Sequence, residues 1–416
     1  MGMIRILDHH GAPDLVRRKT ARLQEAECVV TPILEAVRTR GDAALIEYCR
    51  KLDGFVGGSV AVPLEECRSA MERLDSDFLS AVEVAARNIR EYAETQLPAE
   101  RWTEYPHGRR LGQVVRPLDS MGAYIPGGRY PLSSTLLMSV IPAQVAGVKT
   151  AVVACPRPSA EILGVAAYLN LMSVFRMGGA HAIAALAYGT ATVPKVDRIV
   201  GPGNIYVAAA KKLIAGETGI DFVAGPTEIV IIAEEGNPVH LAADMLAQAE
   251  HDADASAILL TTSRPLAEAV AAEIERQLTG LPTAAVAGEA IARNGAIVLF
   301  ERLEQAADFA NQLAPEHLAL HDRSLLPAIR HAGSIFLGPG SPEAAGDYAS
   351  GPNHVLPTSG AARLRGGLSA ADFVKVISVQ ELSPDALARL APAITRLARA
   401  EGLEAHARSV EVRLHG

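Results

Sequence analysis

The chain has 416 residues, 49% hydrophobic and 21% charged, which supplies apolar surface for two or three domains with a large core. A formal net charge of −8 with no Lys/Arg block argues against a nucleic-acid partner, because a phosphate backbone would be repelled on average. The apolar stretches are interrupted by Pro, Gln and Lys before they reach bilayer length, and the N-terminus matches neither a signal peptide nor a myristoylation motif, so we expect no membrane association and a cytoplasmic location.

Residues 1–110 alternate charged and apolar positions at helical spacing, as in LDSDFLSAVEVAARNIREYAETQL, and are predicted to form a helical N-terminal region. From residue 111 short β-branched runs (TAVVACP, SVFRMGG, VDRIVGPG, GIDFVAGP, EIVIIAEE) alternate with amphipathic stretches. That alternation requires βαβ crossovers and a parallel sheet, predicting a Rossmann-like lobe over 111–228. A second series (SAILLTTS, GAIVLFE, EHLALHD, SIFLGPG) predicts another such lobe over 229–370. The strand, Arg-Pro and Ala-Glu helix start of AVVACPRPSAE return in ILLTTSRPLAE, which hints that the two lobes are related, although Pro at a helix start is common anyway. Residues 371–416 are predicted to be a C-terminal helical arm that packs on a partner subunit. The fold class is therefore α/β, with two incomplete parallel-sheet lobes and helical extensions.

Four kinds of motif bear on chemistry. Gly-rich turns follow several strands (IPGGRYP, MGGAHA, GPGN, AGPTE); they suit close approach of backbone N–H groups to a phosphate, and equally suit plain tight turns. GPGNIY lacks the third Gly of the dinucleotide fingerprint, with Tyr206 in its place. The four cysteines, Cys28, Cys49, Cys67 and Cys155, include no C-x-x-C pair, so a metal would need N and O ligands. Gln248 and His251 lie three apart at a predicted helix end, Glu343, Asp347 and His354 share a Gly/Pro loop, and Glu401 and His406 stand in the tail. Such donors suit zinc, manganese or cobalt, while a lone Gln-x-x-His also reads as a helix-end hydrogen bond. In LAPEHLAL, Glu316 and His317 stand side by side where Pro315 ends a helix: either a capped strand start or an acid–base couple at a strand's mouth.

Taken together, GAYIPGG, GGAHAIAALAYGT, VDRIVGPGN, GIDFVAGPTE, DMLAQAEHD, LAPEHL, EAAGDYASGPNHVLPTSGAAR and EGLEAH resemble the histidinol dehydrogenases, in order and over about residues 20–412. The resemblance implies a homodimer of two incomplete Rossmann-like lobes. It implies one zinc per subunit held by Gln248, His251, Asp347 and, from the other subunit, His406, with the ion gripping L-histidinol. Those four and His317 are implied in substrate binding together with Thr227, His354 and Glu401, with Ser134 and Glu343 as further candidates. Tyr124, His181 and Asn204 match positions that touch NAD. The implied reaction oxidises L-histidinol to the aldehyde and then to L-histidine with two NAD+ and one water, His317 acting as base and Glu316 activating the water. His181 replaces the family's usual Gln, and Thr227 its usual Ser. A rival reading, a related dehydrogenase of a sulfonated diol, would need a cation for the sulfonate, for which Arg129 and Arg363 are the candidates.

Overall fold

The computed structural model describes residues 4–16, 21–127 and 131–414. Two compact units divide the chain: Met1–Thr95 with Asp119–Phe373, and Gln96–Leu118 with Val374–Gly416. These boundaries differ from the expected four segments, because residues on either side of the larger unit pair with each other.

The larger unit holds two parallel sheets. In the first the strands run in the order Ser173–Phe175, Thr150–Ala154, Ser120–Tyr124, Arg198–Val200 and Gly219–Ile220. In the second the order is Arg5–Asp8, Ala296–Leu299, Ser256–Thr261, Glu228–Ile232, His317–Leu320 and Ser334–Leu337. Counted from each lobe's own first strand, both read 3-2-1-4-5, a doubly wound order whose reversal lies between strands 1 and 4. The Arg-Pro correspondence falls on the second strand of each lobe. In both, a serine (Ser159, Ser263) caps the helix that follows, accepting from the backbone N–H of Ile162 or Leu266. Helices cover both faces, which is why all five residues of Glu228–Ile232 are buried.

The N-terminal helices Ala21–Arg40 and Asp42–Tyr48 belong to the first lobe: Val30, Leu34, Val37 and Leu45 share a core with Ile183 and Val207. The all-helical reading of residues 1–110 needs correcting at three places. Arg5–Asp8 is an edge strand beside Ala296–Leu299, four residues too short to show a period of their own. Arg101–Tyr105 and Arg109–Pro117 are antiparallel strands.

The smaller unit is built on those two strands. Arg109–Pro117 pairs antiparallel with Val374–Leu382, and the helices Pro384–Ala400 and Glu404–Glu411 follow. The predicted arm thus ends in helices but begins with the strand Val374–Leu382, rich in β-branched residues. Among the described residues no helix is long and apolar enough to cross a membrane.

Candidate active site

The helix Leu303–Leu313 stops at Ala314, which takes a left-handed φ of 49°; Pro315 prevents its continuation, and His317 opens the central strand His317–Leu320 opposite Ile229 and Ser334. Glu316 therefore sits just before the strand, where it escapes the rule that successive strand residues face opposite sides. Both side chains are buried, with His317 Nδ1 3.7 Å from Glu316 Oε2. The pair, together with Thr227 ahead of Glu228–Ile232, lies at the amino ends of the second sheet's strands.

Glu316 Oε2 accepts hydrogen bonds from Thr227 Oγ1 (2.5 Å) and from the Glu228 backbone N–H (2.9 Å). His317 Nδ1 is 3.2 Å from the Glu228 carbonyl, which can only accept, so Nδ1 carries a proton. Its Nε2 is buried with no hydrogen-bond partner, 3.6 Å from Asp347 Oδ1. Burial alone would lower the imidazole pKa, but the charges of Glu343 (3.5 Å) and Glu316, with Asp347, push it up to about 10. Burial likewise raises Glu316 to about 7 and Glu343 to about 8, whereas Asp347 stays below the usual range because the neighbouring imidazoles outweigh its burial.

The Gln248 amide lies between Thr227 Oγ1 (2.5 Å) and the Glu343 carboxyl group. Thr227 has one hydroxyl hydrogen, so it cannot donate to Glu316 and Gln248 at once. With Glu316 ionised, Thr227 donates to it and accepts from the amide N–H2, whose oxygen then needs a protonated Glu343. With Glu343 ionised the amide is reversed and Glu316 carries the proton. The chain of four side chains thus accommodates one proton shared between two buried carboxyl groups.

Gln248 and His251 come from the end of the helix Pro238–Ala249, and Asp347 from the short helix Glu343–Tyr348. His251 Nε2 stands 3.9 Å from Asp347 Oδ2, too far for a hydrogen bond and suited to two ligands of one ion. Ligand atoms of His317, Glu343 and Asp347 also lie within 4.8 Å of one another. An imidazole, a carboxylate and an amide oxygen beside an unpartnered buried imidazole nitrogen fit a borderline divalent cation such as zinc.

His354 Nδ1 donates to the Asp347 carbonyl (2.7 Å), so its Nε2 accepts from Thr135 Oγ1 (3.1 Å). Thr135, on the helix Ser133–Ala146, was not singled out by the sequence; it is buried while its expected neighbour Ser134 is partly exposed. This contact joins the first lobe to the His317 pocket. Glu401 and His406 lie in the smaller unit, the first capping Pro384–Ala400 and the second on Glu404–Glu411, both exposed. Of the rival's cations, Arg363 donates to the Gln312 carbonyl (2.6 Å) and Arg129 lies outside the described residues.

The three residues expected at a dinucleotide meet at the carboxyl ends of the first sheet. Tyr124 ends its strand and its hydroxyl accepts the Gly179 N–H (3.1 Å); Asn204 caps the helix Ile205–Ile214, accepting from Tyr206 and Val207 N–H (both 3.1 Å). A side chain at Gly201 would collide with the Tyr124 carbonyl, so the GPGN turn is packed directly on that strand. Buried Lys211 and Asp221 brace the turn: Lys211 Nζ donates to the Gly201 carbonyl (3.0 Å), and Asp221 accepts the Gly201 N–H (2.8 Å) and pairs with Lys211. His181 is fully buried and faces inward to Asp53, Nε2 to Oδ2 2.8 Å, with Cys49 beside them. Cys49, Asp53 and His181 are metal-ligand types, but burial and the neighbouring Asp53 push the thiol up to about 12, so it stays protonated. These groups are committed to one another.

A model of the histidinol dehydrogenase family matches residues 16–414. The chain is 48% identical to the histidinol dehydrogenase of Geobacter metallireducens, covering 94% of this chain and 93% of that protein, and 50% identical to that of Thermus thermophilus, covering 93% and 94%. The crystal structure of histidinol dehydrogenase from Elizabethkingia anophelis superposes with a TM-score of 0.94 at 36% identity, over 99% of this chain and 98% of that one. An acetylating aldehyde dehydrogenase from Geobacillus thermoglucosidasius shares the fold alone, with a TM-score of 0.50 at 15% identity over 88% and 99% of the two chains.

Proposed function

The chain belongs to the histidinol dehydrogenase family, oxidoreductases of histidine biosynthesis, and from that premise we propose that it converts L-histidinol to L-histidine in two NAD+-dependent oxidations on one zinc-loaded pocket. The overall balance is L-histidinol, two NAD+ and one water giving L-histidine, two NADH and three protons. NAD+ takes one hydride in each step, as a second substrate bound at Tyr124, His181 and Asn204. Gln248, His251 and Asp347, with His406 of the partner subunit in a homodimer, would hold the zinc, which would supply positive charge to hold the substrate.

The observation that carries this reading is His317 Nε2: buried, unpartnered, and backed by an Nδ1–H already directed at a carbonyl. In the neutral ring that nitrogen holds the free lone pair a base needs. The neighbouring carboxylates Glu343, Glu316 and Asp347 favour the protonated ring. A cation held by Gln248, His251 and Asp347 would supply positive charge there, and His317, its Nδ1–H held by the Glu228 carbonyl, serves as the base through Nε2. It then removes the alcohol proton in the first oxidation and a hydroxyl proton of the aldehyde hydrate in the second.

Glu316, with a pKa near 7, removes a proton from the water that adds to the aldehyde, and Thr227 and the Glu228 N–H hold its carboxylate in place. Glu343 and Asp347 give the pocket acidic character suited to the substrate's ammonium, with His354 held against Asp347; Ser134 and Glu401 are proposed as further substrate contacts. The same acidity disfavours a sulfonated diol. The test is stoichiometry: limiting L-histidinol should yield two NADH per molecule, and a ratio of one would overturn the double oxidation.

A further inference from the structure

We propose that Asp53, which comes from the N-terminal helical segment, is a positioning residue for the dinucleotide; this rests on the reading of the Tyr124–His181–Asn204 region as the NAD site. Asp53 ends a π-helical turn, Cys49–Asp53, after which Gly54 reverses the chain with a left-handed φ of 70°. That turn aims the carboxylate into the loop before the helix Gly179–Tyr188, 125 residues away in sequence. There Oδ2 accepts the Gly178 N–H at 2.9 Å and faces His181 Nε2 at 2.8 Å. The next amide, Gly179 N–H, goes to the Tyr124 hydroxyl.

Two successive amides of the loop are thereby anchored, one to the partly buried Asp53 and one to the buried Tyr124, side chains from different segments. The N–H groups of Ala180 and His181, in the helix's first turn, have no intrahelical acceptor and are the ones left to meet an anion. The loop is closely packed. Gly179 adopts a φ of +54°, and a side chain at Gly178 would run into both Pro156 and Asp53. His181 is stacked on Tyr48 (6.1 Å between centroids, 23° between planes), so its ring packs against the same N-terminal segment. Asp53 therefore reaches the ligand only through the loop it holds; it acts through the backbone of Gly178 and the ring of His181.

The experiment uses the full-length, zinc-loaded enzyme with Asp53→Ala and Asp53→Asn. Asn keeps an acceptor for the Gly178 N–H and a polar partner for His181. NADH affinity is titrated by the nucleotide's own fluorescence, alongside KM for NAD+, KM for L-histidinol, kcat and thermal midpoint. Losing one anchored amide should weaken NADH binding and raise KM for NAD+ by about tenfold in Asp53→Ala, with kcat and KM for L-histidinol within about twofold and Asp53→Asn recovering most of the loss. A folded Asp53→Ala protein with wild-type NADH affinity overturns the proposal, as does an equal rise in KM for both substrates, the mark of a merely structural role. If Asp53→Ala fails to fold, Asp53→Asn decides: an NADH affinity reduced about threefold supports the proposal and an unchanged one overturns it. Wild-type enzyme that binds no NADH at all would instead sink the underlying cofactor reading.

Discussion

Gly333 faces the backbone of Glu316 across the strand pair that opens at His317 and Ser334, with its N–H donating to the Pro315 carbonyl at 2.9 Å. A Cβ placed there would stand 2.6 Å from the Glu316 carbonyl oxygen and 3.2 Å from Pro357 Cδ. Gly333 is not among the glycines with left-handed φ, so the cost of Gly333→Ala is one of contact alone. An unstrained C···O approach is about 3.3 Å, so the two backbones must separate by about 0.7 Å. Glu316 cannot yield freely, because its carboxylate is tied to Thr227 and to the Glu228 N–H and the next residue enters a buried strand. Overpacking of this kind costs about 1–3 kcal/mol of stability, which a protein of this size survives. A displacement approaching 1 Å in the catalytic couple costs up to about 10²-fold in rate, so kcat should fall about 10- to 100-fold with KM for NAD+ unchanged. The assay is NADH formation at saturating substrates, with zinc content and thermal midpoint measured on the same preparation. A folded, zinc-replete Gly333→Ala enzyme with wild-type kcat would refute the claim that the Glu316–His317 backbone sets the rate.

His317→Asn should lower turnover by about 10² to 10⁴-fold while circular dichroism and metal content stay unchanged, and wild-type rates would remove His317 as the base. Glu316→Gln keeps an acceptor for the Glu228 N–H but loses the ionisable oxygen, so single-turnover traces should show the second hydride transfer slowed more than the first; equal slowing would count against water activation. In chelator-treated protein, these groups make stability decline as pH rises from about 4.3, the unfolded carboxyl value, to about 10. The fold favours the protonated forms of Glu316 (about 7), Glu343 (about 8) and His317 (about 10). The carboxyl contribution is lost through the first two values, and that of His317, fully present below its unfolded pKa of about 6.5, is lost through the third. A thermal midpoint that rises across that window would contradict the charge arrangement, and restoring zinc should flatten the profile.

Much of this was legible in the chain because the decisive signals are local. The βαβ alternation identified both lobes, and the Pro after an amphipathic helix put Glu316 and His317 at a strand's mouth. What escaped notice depends on long-range pairing. Val374–Leu382 looks like the start of a helical arm until Arg109–Pro117 pairs with it, and Arg5–Asp8 is a strand only because an open edge accepts it. Thr135 and Asp53 carry no motif; each matters through a partner more than a hundred residues away, His354 in one case and Gly178 in the other. His181 differs: its motif position pointed to a cofactor, and the folded chain adds a contact between its ring and Asp53 that the motif does not carry.

The two sheets share one strand order, and the proposed function uses them from opposite ends, the first from its carboxyl edge and the second from its amino edge. In the second lobe the bends at Glu234–Asn237, Thr262–Ser263, Glu301–Arg302 and His321–Asp322 leave the carboxyl ends of strands, which in most such sheets is where ligands are met. In the proposed function that rim carries none of the named site residues. Grafted peptides, affinity tags or reporter loops inserted along it would sit a full strand length from the acid–base couple, making it the natural place to decorate this enzyme without touching its chemistry.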